Sequence, residues 1–312
     1  MSRLAVESKN STNATGKNNS LGRRAQIRAC LFFVREEIFL EKYQIGGQAI
    51  IEGVLMRGRN LIATAVRKSN GSIDLKTRRV RSISDRCPIL KLPLIRGIVS
   101  IFESMTLGMK SMNDSARISG DEDQLTDSEL KLTMILAIGF AIGFFIVIPA
   151  LTAKFLDSIE PNFVEGLIRI GILLIYLTMI ARFRDMRRIL QYHGAEHQAI
   201  NCYESGEDLT VENVRKCSRF HPRCGTSFLL IVILLSILIF GFIDLNDLWI
   251  RIASQILLLP IIAGISYELI RSKNPIVRSI ISPLMYLQIL TTRSPDDSMI
   301  EVAITALDAV KE

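Results

Sequence analysis

Residues 132–153 run for about 22 positions without a charged side chain, and few folds accept such a segment. At 1.5 Å per residue, a helix of that length crosses the roughly 30 Å hydrocarbon core of a bilayer. A surface helix of a water-soluble protein keeps a charged or polar face, and this stretch has no charged one. Three further segments resemble it. Residues 163–181 are interrupted only by Arg169 near one end, residues 226–243 are uncharged, and residues 249–270 carry Arg251 and Glu268 near opposite ends with Pro260 between them. The expected fold is mainly α: a polytopic helical membrane protein with about four transmembrane helices and a small cytoplasmic α+β N-terminal region.

A hydrophobic fraction of 49% beside 22% charged residues fits this segregation into apolar spans and basic connections. The net charge of +7 then points to a lipid bilayer and its anionic head groups as partners. No basic motif interleaved with aromatics marks a nucleic-acid binder, so no nucleic acid is expected. The connections after the first and third spans carry one Lys and no Lys or Arg, respectively. The second is followed by Arg182, Arg184, Arg187, Arg188, Arg215, Lys216, Arg219 and Arg223, and the fourth by Arg271, Lys273 and Arg278. By the positive-inside rule the protein is a multi-pass cell-membrane protein with both termini and the histidine-bearing connection in the cytoplasm. These arginines read as topology determinants and lipid-phosphate contacts. Arg169 and Arg251, near the outer boundary, are expected to snorkel, and Glu268 to reach water. Gly139 and Gly143 form a G-x-x-x-G pair suited to close helix packing, within one chain or in a homo-oligomer. The five cysteines, Cys30, Cys87, Cys202, Cys217 and Cys224, are odd in number and unevenly spread, which suits a reducing compartment better than a disulfide framework.

Residues 1–42 read as a disordered polar tail followed by an amphipathic helix from about residue 21. Residues 43–129 form a cytoplasmic region. It opens with a glycine-punctuated stretch, where Gly46, Gly47 and Gly53 suit tight turns or close backbone approach. A β-hairpin turning at Asn70-Gly71 follows, then an amphipathic helix within 88–112 suited to the interface and an acidic linker at 120–129. Transmembrane helices one and two occupy 130–181, a cytoplasmic His/Cys loop 182–225, and helices three and four 226–270. Residues 271–312 form an interfacial segment and a C-terminal cytoplasmic helix, started by Ser294 as cap, Pro295 at the first position and the acids Asp296 and Asp297.

All three histidines lie between positions 193 and 221. His193-Gly194-Ala195-Glu196-His197 is H-x-x-E-H, a spacing that some zinc hydrolases use. On a helix, His197 lies about 40° round from His193 and Glu196 about 60° the other way, so the three share one face. Two imidazoles at i and i+4 give two ligands for zinc or another divalent metal, and Glu196 is placed as base for a water whose pKa the ion lowers. The third ligand has three candidates, in order: His221, held extended by Pro222, then Cys224, then Glu52. Cys202 and Cys217 also permit a closed, all-His/Cys structural site. The competing interpretation is imidazoles satisfied by hydrogen bonds at a lipid–water boundary.

GGQAIIEGVLMRG (46–58), YHGAEHQAINCYE (192–204), HPRCGTSF (221–228) and LTTRSPDDSMIEVAITAL (290–307) together resemble the YqhQ-like family. This is a bacterial membrane family built on a domain of unknown function, often labelled a predicted metal-dependent enzyme. The resemblance extends over residues 43–307. It puts weight on Glu52, Arg57, His193, Glu196, His197, Asn201, Cys202, His221, Arg223, Cys224, Asp296 and Asp297, every one of which is present. Two functions from different classes follow. One is a zinc-dependent hydrolase with its site at the cytoplasmic face and ligands His193, His197 and His221. The other is a non-enzymatic membrane scaffold or assembly protein whose His/Cys metal merely fixes the loop. A transporter is weaker, because no span carries a polar cluster at its midplane.

Overall fold

The computed structural model describes residues 45–79, 82–83, 87–120, 125–156, 161–243 and 247–311. The expected tail and amphipathic helix of 1–42, and part of the acidic linker, lie outside the described residues. About 70% of the described residues are helical, with one small antiparallel sheet near the start.

The glycine-punctuated stretch is itself a hairpin: β1 (Gly46–Ile50) runs antiparallel to β2 (Gly53–Arg57), and Glu52 turns between them at φ 50°. The foreseen hairpin follows as β3 (Leu61–Arg67) and β4 (Ile73–Arg79). Gly71 takes φ 86° there, and Lys68 N–H bonds the Ser72 carbonyl at 2.9 Å. The four strands form one sheet in the order β1-β2-β3-β4.

Alternation along the strands gives the sheet two covered faces. One face, with Ala49, Val54, Met56, Ala63 and Ala65, packs on α4 (Arg184–Glu204) and α10 (Asp297–Asp308) through Tyr192, Ala195, Ala199, Met299, Ile300 and Ala303. The other meets α1 (Ile95–Ser119), whose Gly108 leaves room for Gln48: a Cβ there would lie 2.3 Å from its amide. A 3₁₀ turn, Pro88–Lys91, precedes α1. Arg57 reaches Glu103 of α1 at 2.9 Å, and a short helix, α5 (Val211–Lys216), closes the end of α4.

Three helices are long and apolar enough to cross a membrane: α2 (Asp127–Phe155), α3 (Pro161–Ile180) and α7 (Leu248–Arg271). The third expected span is shorter. It is α6 (Gly225–Gly241), 17 residues, about 25 Å at 1.5 Å per residue, starting directly after the turn at His221–Cys224 and ending two residues before the expected end at Ile243. The segment after α7 is equally broken into α8 (Pro275–Ile281), a 3₁₀ stretch Ser282–Leu287 and α9 (Gln288–Thr291). Within α2 the ladder widens at Gly143–Val147, where Ile148 N–H bonds the Gly143 carbonyl, just ahead of Pro149, which has no N–H to continue an ordinary turn. A Cβ on Gly139 or Gly143 would meet nothing within 4 Å, so the expected close packing does not occur there within the chain. Gly166 of α3 serves that purpose instead, with a hypothetical Cβ 2.2 Å from Ile237 of α6.

Arg169 and Arg251 do not snorkel. Their residues are 6% and 7% exposed, and both turn inward onto Glu165, itself 1% exposed. The carboxylate accepts from Arg169 at 3.1 Å, Arg251 at 3.1 Å and Gln255 at 2.7 Å, and Gln255 also accepts from Arg169 at 2.7 Å. A guanidinium with a carboxylate within reach is better satisfied facing inward than alone at the boundary. Glu268 is likewise engaged, accepting from Arg96 Nε of α1 at 2.7 Å.

Candidate metal centre

The H-x-x-E-H sequence lies in the third turn of α4, so the helical period alone sets His193 and His197 side by side, ring centroids 4.3 Å apart. Both rings are oriented by backbone. His193 Nδ1 contacts the Thr291 carbonyl at 2.7 Å and His197 Nδ1 the Arg219 carbonyl at 2.7 Å. A carbonyl only accepts, so both Nδ1 atoms carry the hydrogen, and each Nε2 is free to ligate.

The two carbonyls are held in turn. Asn201 donates to the Ser218 and Phe220 carbonyls at 2.6 and 3.0 Å, and Gln198 to the Cys217 carbonyl at 3.0 Å, which fixes the segment carrying Arg219 against α4. Arg293 N–H bonds the Leu190 carbonyl at 2.8 Å, and the Thr291 and Thr226 hydroxyls meet at 3.2 Å. Gly194 is obligatory here: a Cβ would stand 2.0 Å from the Arg293 carbonyl.

Cys224 caps the start of α6 and is buried, its Sγ 3.4 Å from His193 Nε2. The ligand atoms of His193, His197 and Cys224 all lie within 4.8 Å of one another. In a tetrahedral zinc site, Zn–N and Zn–S bonds of about 2.05 and 2.3 Å separate ligand atoms by about 3.5 Å, so the His193–Cys224 spacing already fits. Burial opposes a charge on His193, yet the Cys224 sulfur beside it outweighs burial and pushes the imidazole up to about 9. Burial also works to raise the Cys224 thiol, but His193 and His197 hold it well below its ordinary value. The pocket therefore stabilises thiolate by means of nearby positive charge, which is what a bound cation would also supply.

Glu196 completes the face. The Ala49 N–H bonds its carboxylate, and burial raises its pKa against the opposing pull of His193 and His197. Its Oε2 is buried without a hydrogen-bond partner. Gly47 of β1 lies directly over it, a Cβ there falling 2.8 Å from Glu196 Cγ. An orphaned carboxylate oxygen next to three convergent soft and borderline donors fits a divalent ion of the zinc type with an attendant water.

The other expected residues lie elsewhere. His221, the preferred third ligand, is outside the group: its ring is 5.6 Å from that of His197, and its Nε2 faces Glu204 at 3.6 Å. Gln288 explains this, since it accepts from His221 N–H at 2.9 Å and donates to the His221 carbonyl at 2.7 Å, anchoring the turn so that Cys224 points inward. Glu52 is engaged by Arg188 and, at 3.2 Å, by the Tyr192 hydroxyl. Arg223 pairs with Glu204, and Asp297 with Arg215. Asp296 is the cap of α10, accepting from Met299 N–H at 3.0 Å, so the helix starts two residues after the expected cap at Ser294. Cys202 is buried against Cys217, and burial with that neighbour pushes its thiol up to about 12. Neither joins the cluster. Gln198, Thr291 and Gln288 carry no periodic or motif signal that singles them out, because their partners are distant backbone groups.

The family described as "Protein of unknown function (DUF1385)" matches residues 92–312. The chain is similar to a protein of Bacillus subtilis (strain 168) named "Uncharacterized protein YqhQ", 33% identical over 289 residues, 84% of this chain and 91% of the relative. No solved structure matches. The family match over residues 92–312 and the identity over most of both chains place the chain in the YqhQ-like DUF1385 family.

Proposed function

We propose that the chain is a membrane-attached, zinc-dependent hydrolase, with His193, His197 and Cys224 as ligands and Glu196 as base. The observation that carries this is the unpartnered, buried Oε2 of Glu196 beside three donors spaced for zinc. A closed structural site takes four protein ligands, whereas three leave a position for water and substrate. His193, His197 and Cys224 would hold a divalent ion, which when bound would supply Lewis acidity and a water of lowered pKa. Glu196, its basicity enhanced by burial, takes the proton of the attacking water and returns it to the leaving group. Ala49 N–H steadies the carboxylate, while the Thr291 and Arg219 carbonyls keep both Nε2 atoms directed inward. The arginine-rich connection supports a position for the site on the cytoplasmic side, close to the inner leaflet.

The test is metal analysis of the full chain purified in detergent, with hydrolysis measured on a panel of chromogenic ester, amide and phosphoester probes. The parent should hold about one zinc per chain. Glu196→Gln should keep the metal and lose turnover, and Cys224→Ser should lose both. Turnover surviving in Glu196→Gln, or a parent without metal, would overturn the assignment.

A further inference from the structure

Arginines around the cluster are nearly all matched with a carboxylate. Arg188 pairs with Glu52, Arg215 with Asp297, Arg223 with Glu204 and Arg67 with Glu301. Two on the loop segments that contact the histidine pair have no carboxylate partner among the described residues. The Arg219 side chain bonds the Ser294 hydroxyl at 3.2 Å and lies over the Phe220 ring at 5.5 Å. Arg293 makes no side-chain hydrogen bond or ion pair among the described residues, and its Nε is buried without a partner. Arg67 and Arg169 share an unmet buried Nε, but each has a carboxylate partner, whereas Arg293 has none among the described residues; an unmet buried donor asks for an explanation, and a bound anion is one.

Their position gives this meaning. Arg219 supplies the carbonyl that orients His197. Arg293 follows the Thr291 carbonyl that orients His193 by two residues, and its own carbonyl lies over Gly194. The Arg219 side chain reaches Ser294, the neighbour of Arg293. Both unmatched guanidiniums thus belong to the two segments that flank the ligand histidines. Each presents a planar fork of donors suited to tetrahedral oxyanions.

We propose that Arg219 and Arg293 form the anion-recognition lip of the His193/His197/Cys224 site, and that its substrate carries a phosphate group. This deepens the hydrolase assignment and rests on it for the reaction, though not for the binding. The phosphate could belong to a soluble phosphoester or to a lipid head group, and the chemistry of recognition is the same.

The experiment uses the full chain in detergent, with inorganic phosphate titrated by calorimetry against zinc-loaded and EDTA-treated protein. Glycerol phosphate serves as the soluble probe, and nanodiscs with or without phosphatidylglycerol serve as the lipid probe. Arg219→Gln and Arg293→Gln should each weaken phosphate binding by about tenfold or more, as expected for losing a charge-assisted pair. Zinc content and melting temperature should stay at parental values, and Arg293→Lys should recover part of the loss. Binding of glycerol phosphate in detergent identifies a soluble substrate, and binding confined to phosphatidylglycerol nanodiscs a lipid one. Loss in the Gln variants of EDTA-treated protein supports the lip even if the parent retains no zinc, which would instead defeat the hydrolase assignment. No binding of inorganic phosphate, glycerol phosphate or phosphatidylglycerol nanodiscs by the parent, or undiminished binding in a folded double variant, overturns the lip.

Discussion

Replacing Glu165 with Ala should be among the most damaging single changes in the helical region. The carboxylate is 1% exposed and accepts from Arg169, Arg251 and Gln255 at 3.1, 3.1 and 2.7 Å. Hydrogen bonds to a charged group contribute about 1.5–3 kcal/mol each, and removing the carboxylate also relieves its own desolvation, which costs several kcal/mol. What remains is two buried guanidiniums facing one another, so the net loss should be about 3–5 kcal/mol, the range for breaking a buried pair from one side. At roughly 2 °C per kcal/mol for a unit of this size, the melting temperature should fall by about 6–10 °C. The single tryptophan, Trp249, lies in the first turn of α7 two positions before Arg251, so its fluorescence during thermal unfolding in micelles reports the affected region directly. Glu165→Gln, which keeps one acceptor oxygen and the volume, should lose less. Replacing Glu165, Arg169 and Arg251 together by Met should recover most of the loss, since an apolar substitute for a buried ion cluster is often neutral or better. A Glu165→Ala protein melting within about 1 °C of the parent would show that the cluster does not hold α3 to α7.

His221→Ala should retain zinc while Cys224→Ala loses it, as measured by metal content of the purified chain, because only Cys224 has its ligand atom in the cluster. Gly47→Ala places a Cβ 2.8 Å from Glu196; metal should remain, hydrolysis should fall, and overpacking should cost about 1–3 kcal/mol in thermal unfolding. Gln288→Ala releases both backbone groups of His221, and zinc affinity should drop about 10–100-fold by competition with a chelator, the usual effect of losing an outer support. The Arg57–Glu103 link should weaken in acid. Burial works to raise the Glu103 carboxyl, but Ile83 N–H, Arg57 and Ser82 together hold it below its ordinary value. A depressed native pKa means that this stabilisation is full above the unfolded carboxyl pKa of about 4.3 and disappears as pH falls through the native one. Amide exchange in α1 around Glu103 should therefore accelerate below about pH 4, and Glu103→Gln should abolish that dependence.

Much of the fold was legible because its signals are local. Asn70-Gly71 names its own turn, the long uncharged segments name their helices, and H-x-x-E-H sets two rings on one face by period alone. The β1–β2 hairpin was not visible. Its turn uses Glu52 at positive φ, a conformation no rule assigns to glutamate, and the strain is accepted where Arg188 and Tyr192 hold the side chain. The cap of α10 was misplaced by two residues because Ser294 and Asp296 are both good caps, and only the fold decides between them. That Cys224 rather than His221 has its ligand atom beside the histidine pair depends on longer range: the two share one turn, and that turn is anchored by Gln288, 67 positions away from His221. Arg169 and Arg251 gave the same difficulty, since each reads as a boundary residue alone and only the packing of α3 on its neighbours brings Glu165 between them.

The strap from Gln288 to Arg293 gives the protein an order of assembly. A ribosome adds residues from the N-terminus, and early elements begin to settle before later ones exist. The histidine pair is translated long before Thr291, the acceptor 98 positions on that sets the His193 ring, and two apolar helices must be threaded between those events. A nascent or truncated chain ending short of that strap therefore carries His193, His197 and Cys224 yet lacks the Thr291 carbonyl that orients the first of them. Under the proposed function the centre would be completed only at the close of synthesis, and a chain lacking the strap would not yet present a finished site to metal or substrate.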